Sequence, residues 1–168
     1  MALTQVIGDG LATSGLPAGS VVQVVNVTSV ATATGTTVTP FDDTIPQNDE
    51  GTEFLTLAIT PTNSSNKLHI KVEGQWGSTS TGSWLTLALF QDSTAGAIAA
   101  SNSFDNIANG NNNYGLSHFM TSGTTSETTF KVRVGPHASS TVRMNGSAGQ
   151  RFMGGILGSA ITITEIAV

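Results

Sequence analysis

From Ser20 onward the chain alternates apolar and polar residues in short runs. "KLHIKVEG" places Leu68, Ile70 and Val72 on one side and Lys67, His69, Lys71 and Glu73 on the other. "EFLTLAIT" aligns Leu55, Leu57 and Ile59, and "WLTLALF" aligns Leu85, Leu87 and Leu89. "TFKVRVG" buries Phe130, Val132 and Val134 while exposing Lys131 and Arg133. The valine-rich "SVVQVVNVT", "TVRMNG" and the terminal "SAITITEIAV" complete the set. A period of two is the signature of strands with one face in a core and one in water.

Turn-forming clusters separate these runs: "TPTNSSN", "GSTSTGS", "NGNNNYG", "TSGTTSE", "GPHASS" and "NGSAGQ". No window carries a sustained helical period with caps. Many short strands joined by polar turns predict a sandwich or barrel. The Cys–Trp–Cys arrangement of the immunoglobulin sandwich is absent, since the chain has no cysteine. Two long connections, near residues 30–50 and 100–115, suit Greek-key crossings. The predicted fold is all-β, an antiparallel jelly-roll sandwich over residues 20–168. Residues 1–19 are small, Gly-rich and weakly apolar. They predict an extended N-terminal anchoring arm whose contacts with a partner fall to Leu3, Val6, Ile7, Leu11 and Leu16.

Composition narrows the function. Charged residues make up 10% of the 168, against about 25% in an average domain. Such a hydrogen-bonding but weakly charged surface lets a neighbouring subunit approach with little charge desolvation. The net charge of −5 supplies no basic stripe, so no nucleic-acid partner is expected. Without cysteine there is neither a disulfide framework nor a thiolate metal site. The apolar runs are short and broken, so no membrane span is expected, and the N-terminal segment lacks the pattern of a signal peptide.

The stretch "TTVTPFDDTIPQNDEGTEF" holds five of the eleven carboxylates: Asp42, Asp43, Asp49, Glu50 and Glu53. Calcium needs about six to eight oxygens, several from one short loop, and the EF-hand spacing is missing. Neighbouring acids in extended chain point to opposite sides. A pair of glycosidase carboxylates would require a cleft that nothing here implies. The expected role is therefore a structured connection, with Pro40 and Pro46 fixing φ and Asp43 or Asn48 making Asx turns. His69, His118 and His137 show no metal-binding spacing, and no nucleophile elbow or phosphate loop occurs. No catalytic residue, metal or cofactor is expected. Trp76 and Tyr114, beside turn clusters, are the candidates for stacking on a host-surface glycan, whereas Trp84 opens an apolar strand and is expected in the core.

"GLPAGSVVQVV", "VTPFDDTIPQNDEGTEFLTLAITPTNSSNKLHI" and "LALFQD" resemble a jelly-roll module of bacteriophage structural proteins: capsid decoration proteins, head fibres and tail-fibre tips. The resemblance covers residues 14–92, with "DDTIPQ", the following "EG" and "SNKL" its most specific parts. It implies a homotrimer without catalysis. No heptads or repeats supply a fibre shaft. The expectation is a non-enzymatic virion structural protein of the capsid-decorating or cementing type. Its arm would sit on the major capsid protein or another virion protein, with the capsid surface favoured over the tail. The alternative is a receptor- or glycan-binding tip. The terminal "ITITEIAV" is expected to contribute to an apolar seam at the threefold axis.

Overall fold

The computed structural model describes residues 16–147 and 149–168. The described chain forms twelve strands: β1 (Val21–Ser29), β2 (Ala33–Gly35), β3 (Thr52–Ile59), β4 (Lys67–Ser78), β5 (Ser83–Gln91), β6 (Ala99–Asp105), β7 (Asn112–Thr121), β8 (Thr128–Pro136), β9 (Val142–Met144), β10 (Gly146–Ser147), β11 (Gln150–Arg151) and β12 (Ser159–Ile166). One 3-10 turn spans Met153–Gly155.

Every strand pair is antiparallel. In the first sheet β1 pairs β12, β12 pairs β4 and β4 pairs β7, with β9 and β2 continuing from the end of β4. In the second, the order is β3-β8-β5-β6. The long strands β1, β3, β4, β5, β6, β7, β8 and β12, counted in that order, run 1-8-3-6 in one sheet and 2-7-4-5 in the other. That is the double Greek key of a jelly roll.

The period-two reading locates the core. Leu68, Ile70 and Val72 of β4 and Ile161 and Ile163 of β12 meet Leu85, Leu87 and Leu89 of β5 and Phe130, Val132 and Val134 of β8. All eleven are at most 1% exposed. Burying a side chain of this size stabilises the fold by about 1.5–3 kcal/mol. Leu57 is only partly buried. Phe54 packs on the core as well as Leu55, because the β3–β8 register slips between Glu53 and Leu55.

Two expectations of the sequence fail here. The segment 100–115 is not one long connection: it holds most of β6 and the start of β7. The run "AASNSFD" of β6 has no apolar alternation to betray it, and "NNYG" reads as a turn until β4 pairs with it, Asn112 opposite Trp76 and Gly115 opposite Glu73. Gly115 belongs there for packing, since a Cβ would collide with the Val72 carbonyl. The second failure concerns "ITITEIAV". Its Ile161 and Ile163 are consumed by the protein's own core, and β12 lies between β1 and β4. The residues it turns outward are Ala160, Thr162, Thr164 and Ile166, so an apolar seam between subunits cannot be built from those isoleucines.

Candidate functional site: the acidic strap

The connection 36–51 leaves β2 in the first sheet, crosses to the second and enters β3. On the way it lies against the outer side of the second sheet as a strap. Its start is tied to the end of β8, where Thr39 N–H donates to the Pro136 carbonyl at 3.0 Å, and its two ends are tied to each other, Gly51 N–H donating to the Val38 carbonyl at 3.1 Å. Contact there is so close that a Cβ on Gly135 would strike the Thr39 hydroxyl and come within 2.8 Å of the Thr37 carbonyl oxygen and 2.9 Å of the Gly51 Cα. Arg133 of β8 donates from Nε to the Glu50 carbonyl and from Nη2 to the Gly51 carbonyl, both at 2.8 Å. The middle is tied to the β5–β6 connection. Gln47 bridges Gly96, Asn48 N–H donates to Ala95 at 2.7 Å, and Ala97 N–H donates to Pro46 at 2.8 Å.

The five carboxylates of this stretch do not converge. Asp42 Oδ1 accepts from the Thr44 N–H at 2.9 Å and from its hydroxyl at 2.5 Å, which closes an Asx turn. Glu50 Oε2 accepts from the Gln47 N–H at 3.0 Å. Glu53 stands 3.7 Å from Arg133 Nη1, while Asp43 and Asp49 are exposed. The expected Asx turn at Asp43 is thus made by Asp42, and Asn48 uses its amide to donate to the Thr94 carbonyl at 3.3 Å. Among the described residues no three His, Cys, Asp or Glu side chains are grouped to hold a metal ion.

The aromatic assignments reverse. Trp84 sits on the outer face of β5, half-buried, with Phe41 of the strap stacked on it at 4.7 Å and 4° and Phe104 of β6 tilted against it at 4.9 Å. Trp76 has the inward parity of β4 and is 0% exposed, packed edge-on against Phe54 at 5.3 Å. A ring without exposed surface cannot stack on a sugar. Tyr114 packs beside it at 6.4 Å with its hydroxyl buried and without a hydrogen-bond partner. Burial, with the Asp105 carboxylate adding to it, pushes that hydroxyl well above its ordinary pKa. Trp76 is therefore not available as a platform, while Tyr114 is partly buried against it. The exposed aromatics are Phe41 and Phe104, which flank the half-buried Trp84, and Phe119 on the other sheet; the only sequence clue to the first group was a lone phenylalanine between Pro40 and Asp42.

The histidines remain apart. His69 bonds Ser117 Oγ at 2.8 Å on the outer face of the first sheet, and His137 Nδ1 accepts from the Trp84 N–H at 3.1 Å. His118 follows the inward parity of β7 between Leu116 and Met120 and is half-buried.

Two buried carboxylates were not singled out by sequence. Glu165 is 0% exposed on the core side of β12. It accepts from the Gln23 amide at 2.6 Å, the Asn66 amide at 2.7 Å, and the Thr62 N–H and hydroxyl, each at 2.9 Å. Burial opposes its ionisation, but these donors together outweigh that and hold its pKa below the ordinary value. Asp105, 1% exposed, accepts from the Ser78 N–H at 2.7 Å beside the far end of β4. Both fasten loops to strand ends.

Of the arm residues, Leu3, Val6, Ile7 and Leu11 lie outside the described residues. Leu16 is half-buried ahead of a turn in which Gly19 N–H donates to the Ala167 carbonyl at 2.8 Å.

No protein-family model matches the chain, and no curated protein sequence does. Among solved structures it is similar to the VP2 subviral particle of infectious bursal disease virus (TM-score 0.42, 10% identity, 86% of this chain and 37% of that one). It is also similar to infectious bursal disease virus of the Gt strain (TM-score 0.41, 11% identity, 97% and 42%). A third likeness is to the insecticidal delta-endotoxin Cry8Ea1 of Bacillus thuringiensis (TM-score 0.38, 9% identity, 84% and 19%). The chain spans less than half the length of each of these. The strand order, rather than these likenesses, identifies the jelly roll.

Proposed function

We propose that this protein is a non-enzymatic structural component of a bacteriophage virion: a homotrimeric capsid-decorating or cementing protein. Its residues 1–19 anchor it to the major capsid protein or another virion protein. The observation that carries the reading is what the acidic strap does. Backbone hydrogen bonds, Arg133 and the Phe41–Trp84 stack hold the strap to its own sheet, and Asp42 and Glu50 close turns within it, which is the work of a rigid building part. The resemblance of residues 14–92 to phage structural modules and the weakly charged surface support the same reading.

With Ile161 and Ile163 of β12 in the core, self-association falls to the outer face of the first sheet. There Val24 of β1 and Phe119 of β7 are 56% and 58% exposed, in one row with Thr164 and His69. The N-terminal segment enters β1 beside Ala167, so an arm would leave from the root that Glu165 and Gln23 secure.

A particle reconstruction tests the assignment. Copies distributed over the capsid are the expected result; copies confined to a tail tip would favour the receptor-binding alternative, and purified particles without the protein would end both. Deleting residues 2–19 should abolish particle attachment while leaving a trimer by light scattering. A stable wild-type monomer at micromolar concentration overturns the trimer.

A further inference from the structure

The strap does not lie flat along its whole length. Between its Pro40–Pro46 stretch and the outer face of β6 it leaves a slot of about 350 Å³, floored by Thr86, Ala100 and Asn102 and walled by Phe41, Asp42 and Thr44. A second hollow of about 310 Å³ shares Asp42, Thr44, Pro46 and Ala100 with it and adds Asp43 and Ile45. The two form one groove, open to solvent, beneath the strap.

We propose that this groove binds a neutral saccharide. Its chemistry selects the ligand. No Lys, Arg or His lines either hollow, while Asp42 and Asp43 do, so phosphates, sulfates and carboxylate-bearing sugars are repelled. Asp42 takes both of its Thr44 bonds on Oδ1, which leaves Oδ2 as an acceptor for ligand hydroxyls. The exposed Asn102 amide offers a donor and an acceptor side by side, and the Thr44 hydroxyl, whose proton goes to Asp42, adds an acceptor above the largely buried Thr86 floor. Phe41 is 50% exposed. Its ring rests on Trp84, which holds it rigid, and its exposed half borders the slot, where it can meet the apolar C–H face of a pyranose. An aromatic plane beside convergent neutral and acidic acceptors suits a ligand with one C–H face and a rim of hydroxyls. The groove lies away from Trp76 and Tyr114, and it does not depend on where in a virion the protein sits.

The test uses the full chain and a panel of methyl glycosides of neutral hexoses and N-acetylhexosamines, followed by saturation-transfer NMR and tryptophan fluorescence. At least one member should bind saturably in the millimolar range, with transfer to its ring protons. Asp42→Asn and Asn102→Ala, both at exposed positions, should each weaken it about tenfold and leave the unfolding midpoint in place. Lys131→Ala, outside the groove, should leave it unchanged. The proposal is overturned if no glycoside on the panel saturates, or if binding survives both groove substitutions. It is equally overturned if a lysine-rich peptide displaces the glycoside and binds the groove more tightly.

Discussion

The two sheets treat their outer faces differently. On β4 of the first sheet the alternation is clean: Leu68, Ile70 and Val72 are buried, while Lys71 and Glu73 stand exposed and 2.7 Å apart. On β5 of the second sheet both parities are buried. Leu85, Leu87 and Leu89 face the core, and Thr86, Ala88 and Phe90 on the other side are 7%, 3% and 1% exposed. The strap region makes the difference. A strand's pattern shows which side is dry only when the other side is wet. Where a connection folds back over a sheet, the strand beneath becomes apolar on both sides, as a strand covered on both faces must.

The largest expected effect comes from the outer face of β5. Phe90→Ala should cost about 3 kcal/mol in urea unfolding, as much as a core truncation. A cost below about 1 kcal/mol, typical of a surface position, would mean that the face is not truly covered. Next comes the closest contact of the strap. Gly135→Ala pushes a methyl group into Thr39 and the strap backbone and should cost about 2 kcal/mol, with a change in Trp84 fluorescence as Phe41 shifts.

The third test bears on the first sheet, whose inner face carries a charge. The folded pKa of Glu165 is depressed, so its contribution to stability is fully present above the unfolded value near 4.5 and is lost as pH falls through the folded value. Glu165→Gln should lower stability by about 1–2 kcal/mol at neutral pH and flatten the fall in stability between about pH 5 and pH 2 relative to wild type. Superimposable acid profiles would remove Glu165 from that role. Phe41→Ala loses a stacked pair on a half-exposed site and should cost about 1 kcal/mol. Lys71→Ala, on the open face, should stay within about 0.5 kcal/mol of wild type, and its change should vanish at high salt.

Much of the fold was legible beforehand. The strands with strong apolar alternation, β4, β8 and β12, needed only their own residues to be recognised. β6 and the first half of β7 escaped because their residues are Ala, Ser, Asn and Gly, whose extended conformation is imposed by neighbours rather than by their own burial. The strap was recognised as a structural connection from Pro40, Pro46 and the spacing of its acids. Where it lay was not legible. Trp76 and Trp84 exchanged places for a related reason. Proximity to a turn cluster in sequence says little about exposure, whereas strand parity decides it: Trp76 shares the phase of Leu68, Ile70 and Val72, and Trp84 opposes that of Leu85, Leu87 and Leu89.

By itself, then, the order of residues settled the all-β class, the inward face of most long strands and the mechanical character of the acidic connection. Each of these follows from interactions between residues a few positions apart: the two-residue pleat, the fixed φ of proline and short-range Asx turns. Tertiary structure alone decided which sheet the strap covers, where the exposed aromatics gather, and that Glu165 is a buried fastener. Those outcomes depend on pairs such as Phe41 with Trp84 and Glu165 with Gln23. Such pairs stand tens of positions or more apart and meet only once the double Greek key has closed.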